Sequence, residues 1–145
     1  MGRARAEIRV EGSIAEAEEL WYDLARWPAF VDGFGHVARR DPSWPQAGEV
    51  MWDSTPAGRG RVIEQVTWFS AREGQDAQIE DPKVTGTQRL RFGPGTVSLE
   101  LEYELKEGTW LLDVLFIRRA QRDALRRTLA RFAIELRAER ELRAG

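Results

Sequence analysis

The sequence contains no cysteine. That excludes disulfides, a thiolate metal site and a cysteine nucleophile, and it is compatible with a reducing compartment. Histidine occurs once, as His36. A single imidazole does not build the usual multi-ligand zinc set when cysteine is absent. A Ser-His-Asp arrangement would rest on His36 alone, and there is no GxSxG elbow to support it. The segment GFGH at 33–36 lacks the third glycine and the strand-to-helix setting of a dinucleotide fingerprint. The formal net charge is only −2, so no nucleic-acid partner is expected. No apolar run approaches the roughly 18 residues of a membrane span. The start MGRARAEIRV is basic but lacks the apolar stretch of a signal peptide. These absences lead to the expectation of a cytoplasmic protein with no metal or nucleotide cofactor.

What is present suits one folded domain over 1–145. The chain is 42% hydrophobic and 32% charged, a balance typical of globular rather than disordered sequence. At this length it can bury a core without staples.

The pattern begins with alternation. Ala6, Ile8 and Val10 fall on one face of a strand, and Glu7, Arg9 and Glu11 on the other. Ser13 and Glu16 then have capping-box spacing. Ile14, Ala17, Leu20, Trp21 and Leu24 follow at helical spacing. Pro28 breaks that helix near Trp27 and starts a second, short helix that closes at Gly33. Strand-like segments fill the middle, near Phe34–Arg40, Glu49–Ser54, Arg61–Ser70, Asp76–Glu80, Thr85–Phe92 and Thr96–Lys106. The last two read as a hairpin across GPGT. In that register Leu90, Phe92, Leu99 and Leu101 share the core face, while Arg89 opposes Glu100 on the wet face.

A long helix is expected from about Arg118 to Glu141. Its stripe comprises Ile117, Gln121, Ala124, Leu125, Thr128, Leu129, Phe132 and Leu136. Leu112 and Phe116 are out of phase, so TWLLDVLF reads as a separate turn or a kinked lead-in. Strands segregated from helices indicate an α+β fold: a curved antiparallel sheet of about seven strands, gripping the C-terminal helix, with two short helices after strand one.

Four stretches carry a family resemblance: SIAEAEELWYDLARWPAFVDGF, GEVMWDSTPAGRGRVIEQV, VTGTQRLRFGPG and RRAQRDALRRTLARFAIEL. Within the first, Asp23 is followed by Trp27, Pro28 and Phe30. Over roughly residues 6–141 the chain resembles the SRPBCC superfamily, the helix-grip group that includes START lipid-transfer domains and polyketide cyclases. The resemblance implies an elongated apolar cavity between sheet and helix. It also implies that MWDS and VIEQVTWF are adjacent strands joined by TPAGRG, each with one face toward the cavity. The superfold hosts cyclases, lipid carriers, hormone binders and interaction modules, so it does not by itself name a function.

The central segment has two registers. Val62, Glu64, Val66 and Trp68 face inward in one; Ile63, Gln65, Thr67 and Phe69 do so in the other. The first is preferred, since Val, Val and Trp outweigh Ile and Phe as a set. It would put Glu64 in an apolar wall, where burial disfavours ionisation and suits a general acid or base. The alternative is a Glu64 at the wet end of the sheet or paired with an arginine. Gln121 and Thr128 would offer hydrogen bonds from the helix, beside the small residues Ala120 and Ala124. Otherwise Thr128 bonds back to the helix carbonyls and Gln121 reaches a strand. Arg118 would lie at the cavity mouth or in solvent. Tyr103 is a cavity residue or a core tyrosine reaching the sheet edge. Trp21, Trp27 and Trp44 are assigned to core and loop packing.

The expected ligand contacts are therefore Trp52, Glu64, Val66 and Trp68 from the first strand pair. Leu90, Phe92, Leu101 and Tyr103 join them from the hairpin, and Gln121, Ala124, Leu125 and Thr128 from the helix. Glu64 and Tyr103 are the catalytic candidates. The basic run RRAQRDALRRTLAR reads as a solvated helix face. Three functions remain open: a polyketide cyclase/dehydratase-like protein acting on a lipophilic small molecule, a non-catalytic carrier or sensor of a lipid or quinone, and a protein-interaction module. Nothing in the sequence indicates an oligomeric state.

Overall fold

A computed structural model describes residues 2–56, 59–106 and 111–145, with the side chains of 111–113 excepted. Seven strands form one antiparallel sheet: β1 (Gly2–Arg9), β2 (Phe34–Arg40), β3 (Glu49–Ser54), β4 (Arg61–Ser70), β5 (Gly74–Glu80), β6 (Val84–Gly93) and β7 (Thr96–Leu105). Their order across the sheet is β1-β7-β6-β5-β4-β3-β2. From β2 to β7 the sheet is a meander of neighbouring hairpins. β1 and β2 are consecutive in sequence yet sit at opposite edges, so the chain between them must cross the sheet.

That crossing contains α1 (Ile14–Trp21), a 3-10 turn (Leu24–Arg26) and α2 (Trp27–Phe30). The Ser13/Glu16 capping box forms. Ser13 Oγ accepts from the Glu16 amide, and a Glu16 carboxylate oxygen accepts from the Ser13 amide, both at 3.1 Å. Asp23 caps the 3-10 turn by accepting from the Ala25 amide, and Pro28 occupies the first turn of α2. α2 ends at Phe30, short of the expected stop at Gly33, because Val31 is already extended.

The long helix α3 (Leu111–Ala144) packs mainly on β1 and α2. Ile117, Gln121, Leu125, Thr128, Leu129, Phe132 and Leu136 are buried as the stripe requires. The helix begins earlier than expected. Leu111 to Phe116 belong to it, and no separate lead-in occurs there; Thr109 and Trp110 lie outside the described residues. Phe116, read as out of phase, is exposed on the continuous helix, so its mismatch marks a solvent-facing position and not a break; the side chain of Leu112 lies outside the described residues. Two charge clusters tie α3 to the crossing segment. Arg26 donates to Glu135 and Glu139 at 2.9 and 2.8 Å, and Asp32 accepts from Arg127 and Arg131 at 2.9 and 3.2 Å.

The β6–β7 register is the expected one. Arg89 opposes Glu100 and Leu90 opposes Leu99, with an Arg89–Glu100 ion pair of 3.2 Å on the outer face. β4 differs. Val62 and Glu64 are buried, but a bulge between Val66 and Trp68 inserts an extra residue against β5. A bulge reverses the facing of the residues beyond it. Trp68 therefore points outward instead of into the interior, 39% exposed, with the Arg91 guanidinium 4.5 Å from its ring centre. Phe69 turns inward and meets Tyr22 at 5.7 Å between ring centres. Both sequence registers are thus realised, one on each side of the bulge.

Candidate functional site

Aromatic side chains fill much of the space between sheet and helix. Phe92, Tyr22, Trp44, Trp27, Phe34 and Trp52 touch in succession, with ring centres 5.3 to 6.0 Å apart. Trp21, Phe30 and Phe132 form a second cluster under α3. Edge and tilted contacts of this kind suit the ring quadrupoles. Tyr22 and Trp44 occupy the end where Val66 and Phe92 were expected to border a cavity. Leu90 and Phe92 are buried in the core and Val66 packs against it; these three, with Trp68, do not line the cavity. Tyr103 is buried as well, but it borders a separate gap of about 40 Å³ with Gly2, Leu105, Val114 and Arg118.

The line of rings stops at Trp52, and there an internal cavity of about 60 Å³ remains. Its walls include Trp52, Glu64, Leu101, Gln121, Ala124, Leu125 and Thr128, seven of the residues expected from sequence. Gln88, Ile79 and Leu99 complete the sheet side. An outer chamber of about 280 Å³ lies toward the start of α3, lined by Asp81, Pro82, Lys83, Val84, Phe116, Ile117 and Ala120. Arg59 and Gln121 belong to the walls of both. A dry cavity that admits benzene measures about 150 Å³, so the inner space suits a small group and the outer chamber a ring system.

Glu64 is a buried acidic group in the wall of the inner cavity. It accepts from the Trp52 indole N–H at 2.6 Å. Burial pushes its carboxyl pKa up; the Trp52 hydrogen bond and the Arg59 charge oppose this without cancelling it. A neutral carboxyl at this place has a proton to give into the cavity. Thr128 is engaged, its Oγ1 accepting from the Asp32 amide at 3.0 Å. The Gln121 side chain is buried and makes no hydrogen bond among the described residues.

Arg59 carries no signal in the sequence that would single it out. It comes from the TPAGRG link, of which Ala57 and Gly58 lie outside the described residues. Asp81 holds it. Asp81 is 4% exposed; its Oδ1 accepts from the Lys83 and Val84 amides at 2.8 and 2.9 Å, shaping the β5–β6 turn. Its Oδ2 accepts from Arg59 Nε at 2.9 Å. The guanidinium lies 5.9 Å from the Trp52 ring centre, and Arg59 Nη2 is buried without a hydrogen-bond partner. A glycine-flanked arginine in a loop has no periodicity; only the fold brings it to the cavity wall. His36 is exposed on β2, with Nε2 3.2 Å from Asp53 Oδ2, and it borders neither chamber.

No protein-family model and no curated protein matches the chain. Solved structures do match its architecture. A START superfamily protein from Mycobacterium smegmatis superposes with a TM-score of 0.69 at 14% identity, over 94% of this chain and 99% of that one. A conserved protein from Geobacillus kaustophilus gives 0.70 at 11% identity, over 94% and 95%. The fold is the START-like helix grip. The di-domain ARO/CYC StfQ from the steffimycin biosynthetic pathway shares this helix grip with a TM-score of 0.66 at 16% identity, over 96% of this chain and 51% of its own. Among the described residues of this START-like chain, no helix is long and apolar enough to cross a membrane.

Proposed function

We propose that this chain binds a compact lipophilic small molecule between its sheet and α3. The observation that carries the reading is the pair of adjoining chambers that the aromatic chain leaves unfilled where it stops at Trp52. Pro82, Val84, Phe116, Ile117 and Ala120 give the outer chamber an apolar wall. A largely apolar pocket with a few convergent polar groups is the usual form of a small-molecule site. The volume favours one or two rings over a long acyl chain.

Native mass spectrometry of the protein purified from its own host tests this directly. A copurifying small molecule, or saturable binding of an aromatic probe that an outer-chamber substitution abolishes, is the expected result. A ligand-free protein that binds no member of an aromatic probe set would end the proposal.

A second reading, polyketide cyclase/dehydratase-like catalysis, draws support from Glu64 and from the shared fold of the ARO/CYC protein. The neutral Glu64 carboxyl would protonate a departing ligand hydroxyl. Its carboxylate would then take a proton from the adjacent carbon, so that water leaves and the carboxyl is restored. Turnover of a β-hydroxy ketone probe by the wild type, abolished in Glu64→Gln with binding intact, would support catalysis. Equal turnover by both proteins would exclude Glu64 as the acid, and no turnover by the wild type would leave binding alone.

A further inference from the structure

We infer that the ligand is a compact aromatic or alicyclic carboxylic acid, whose carboxylate is received by Arg59 Nη2 and the Gln121 side chain, with its ring body in the outer chamber. This rests on the binding function proposed for the two chambers and specifies its ligand.

Asp81 determines how Arg59 is presented. A guanidinium has five donors in a planar fork. Asp81 takes one, at Nε, and thereby fixes the plane of the group. Nη2 is left buried, with no acceptor in reach among the described residues. Buried donors are almost always paired in native proteins, and an exception needs an explanation. Here the unpaired donor belongs to a residue in the walls of both chambers, and a ligand acceptor is that explanation.

The neighbouring groups agree on the sign. Gln121, buried on the opposite wall, has a free amide among the described residues. Lys83 lines the outer chamber, and no described carboxylate pairs with its ammonium group. Among the described residues Asp81 is the one acidic residue in that chamber's wall, and its oxygens are already engaged by Arg59 and two amides. Arg59 and the exposed Lys83 thus share that wall with one committed carboxylate, a balance that favours an anionic ligand. A planar carboxylate matches the remaining edge of a fixed guanidinium better than a hydroxyl or a lone carbonyl does. Phe116, Ile117, Ala120, Val84 and Pro82 then cover the ring body.

Calorimetric titration of matched probes, naphthoate against naphthamide, decides the matter. Both share one ring system and differ in charge. Wild-type protein should bind naphthoate at least tenfold more tightly than naphthamide. Arg59→Gln should remove that preference, naphthoate affinity falling at least tenfold further than naphthamide affinity does. Naphthamide binding as tightly as naphthoate in the wild type, which needs no variant to fold, would overturn the carboxylate assignment and leave the pocket intact. Arg59→Gln retaining the preference would overturn it too. Failure of both probes to bind would remove the pocket itself.

Discussion

The indole nitrogen of Trp52 lies 2.6 Å from Oε2 of Glu64, although the two residues are not directly opposed. Trp52 faces Val62 across the β3–β4 ladder, and Glu64 faces Val50. The long indole reaches its diagonal neighbour, a separation that aromatic side chains span. This one bond satisfies the only polar side-chain atom of Trp52 and half of a buried carboxyl.

Trp52→Phe should therefore cost more than its lost area. The carboxyl of Glu64 loses its donor while staying buried, a penalty of about 1–3 kcal/mol. Urea unfolding measures it, and Glu64→Gln in the same background should recover part of the loss.

Glu64 also makes stability depend on pH. Its folded pKa is raised above the ordinary value of 4.5, so the folded state holds a proton that the unfolded chain releases. Stability from this group is fully present below that ordinary value. It falls as pH rises and is lost once pH passes the raised folded pKa. Glu64→Gln keeps an acceptor for Trp52 and removes the titration. The variant should show a flatter unfolding free energy from pH 4.5 upward, and should exceed the wild type at the alkaline end. Parallel pH profiles for the two proteins would contradict the assignment.

Ala120 and Ala124 separate the two chambers by size. Ala120 borders the outer chamber of about 280 Å³ and Ala124 the inner one of about 60 Å³. Ala124→Phe should overpack and destabilise by roughly 1–3 kcal/mol. Ala120→Phe should fold with less than about 1 kcal/mol of change and block an aromatic probe. Thermal melts and calorimetry on the same two samples check both halves.

Asp81 anchors a turn and an arginine at once. Asp81→Asn preserves an acceptor for the Lys83 and Val84 amides and gives up the charge on Arg59. Asp81→Ala gives up both. The alanine variant should lose about 2–3 kcal/mol, with the asparagine variant retaining more than half of it. Equal losses in denaturant unfolding would mean that the turn bonds contribute nothing.

Much of this arrangement is readable in the sequence where side chains alternate or recur every three to four residues. Phe34–Arg40, Glu49–Ser54 and Arg61–Ser70 occur with the expected limits, because glycine, proline and polar turns bound each of them. The α3 stripe and the Arg89–Glu100 pairing are equally plain. Trp68 is not. A bulge adds one residue without any side-chain signature, and the facing of everything beyond it inverts. Nor is the filling of the cavity, since the Tyr22–Trp44–Trp27 ring contacts join residues that no local period relates. Arg59 escapes for the same reason: its role depends on Asp81, which sits on a different turn.

The strand order has a consequence for how the chain reaches this structure. Gly2 pairs with Tyr103 and Arg9 with Thr96, while β2 to β7 form a ladder of sequence neighbours. The meander can assemble from short loop closures, whereas β1 must wait for β7, and the seat of α3 is complete only once β1 is in place beside α2. Contacts between such distant segments slow folding, since the entropy of closing the large loop is lost before they form. During synthesis, the concave side of the meander is consequently uncovered until the last helix leaves the ribosome. Arg39, Arg40, Arg61, Arg89 and Arg91, carried on β2, β4 and β6, would help keep that half-built sheet from pairing with another chain.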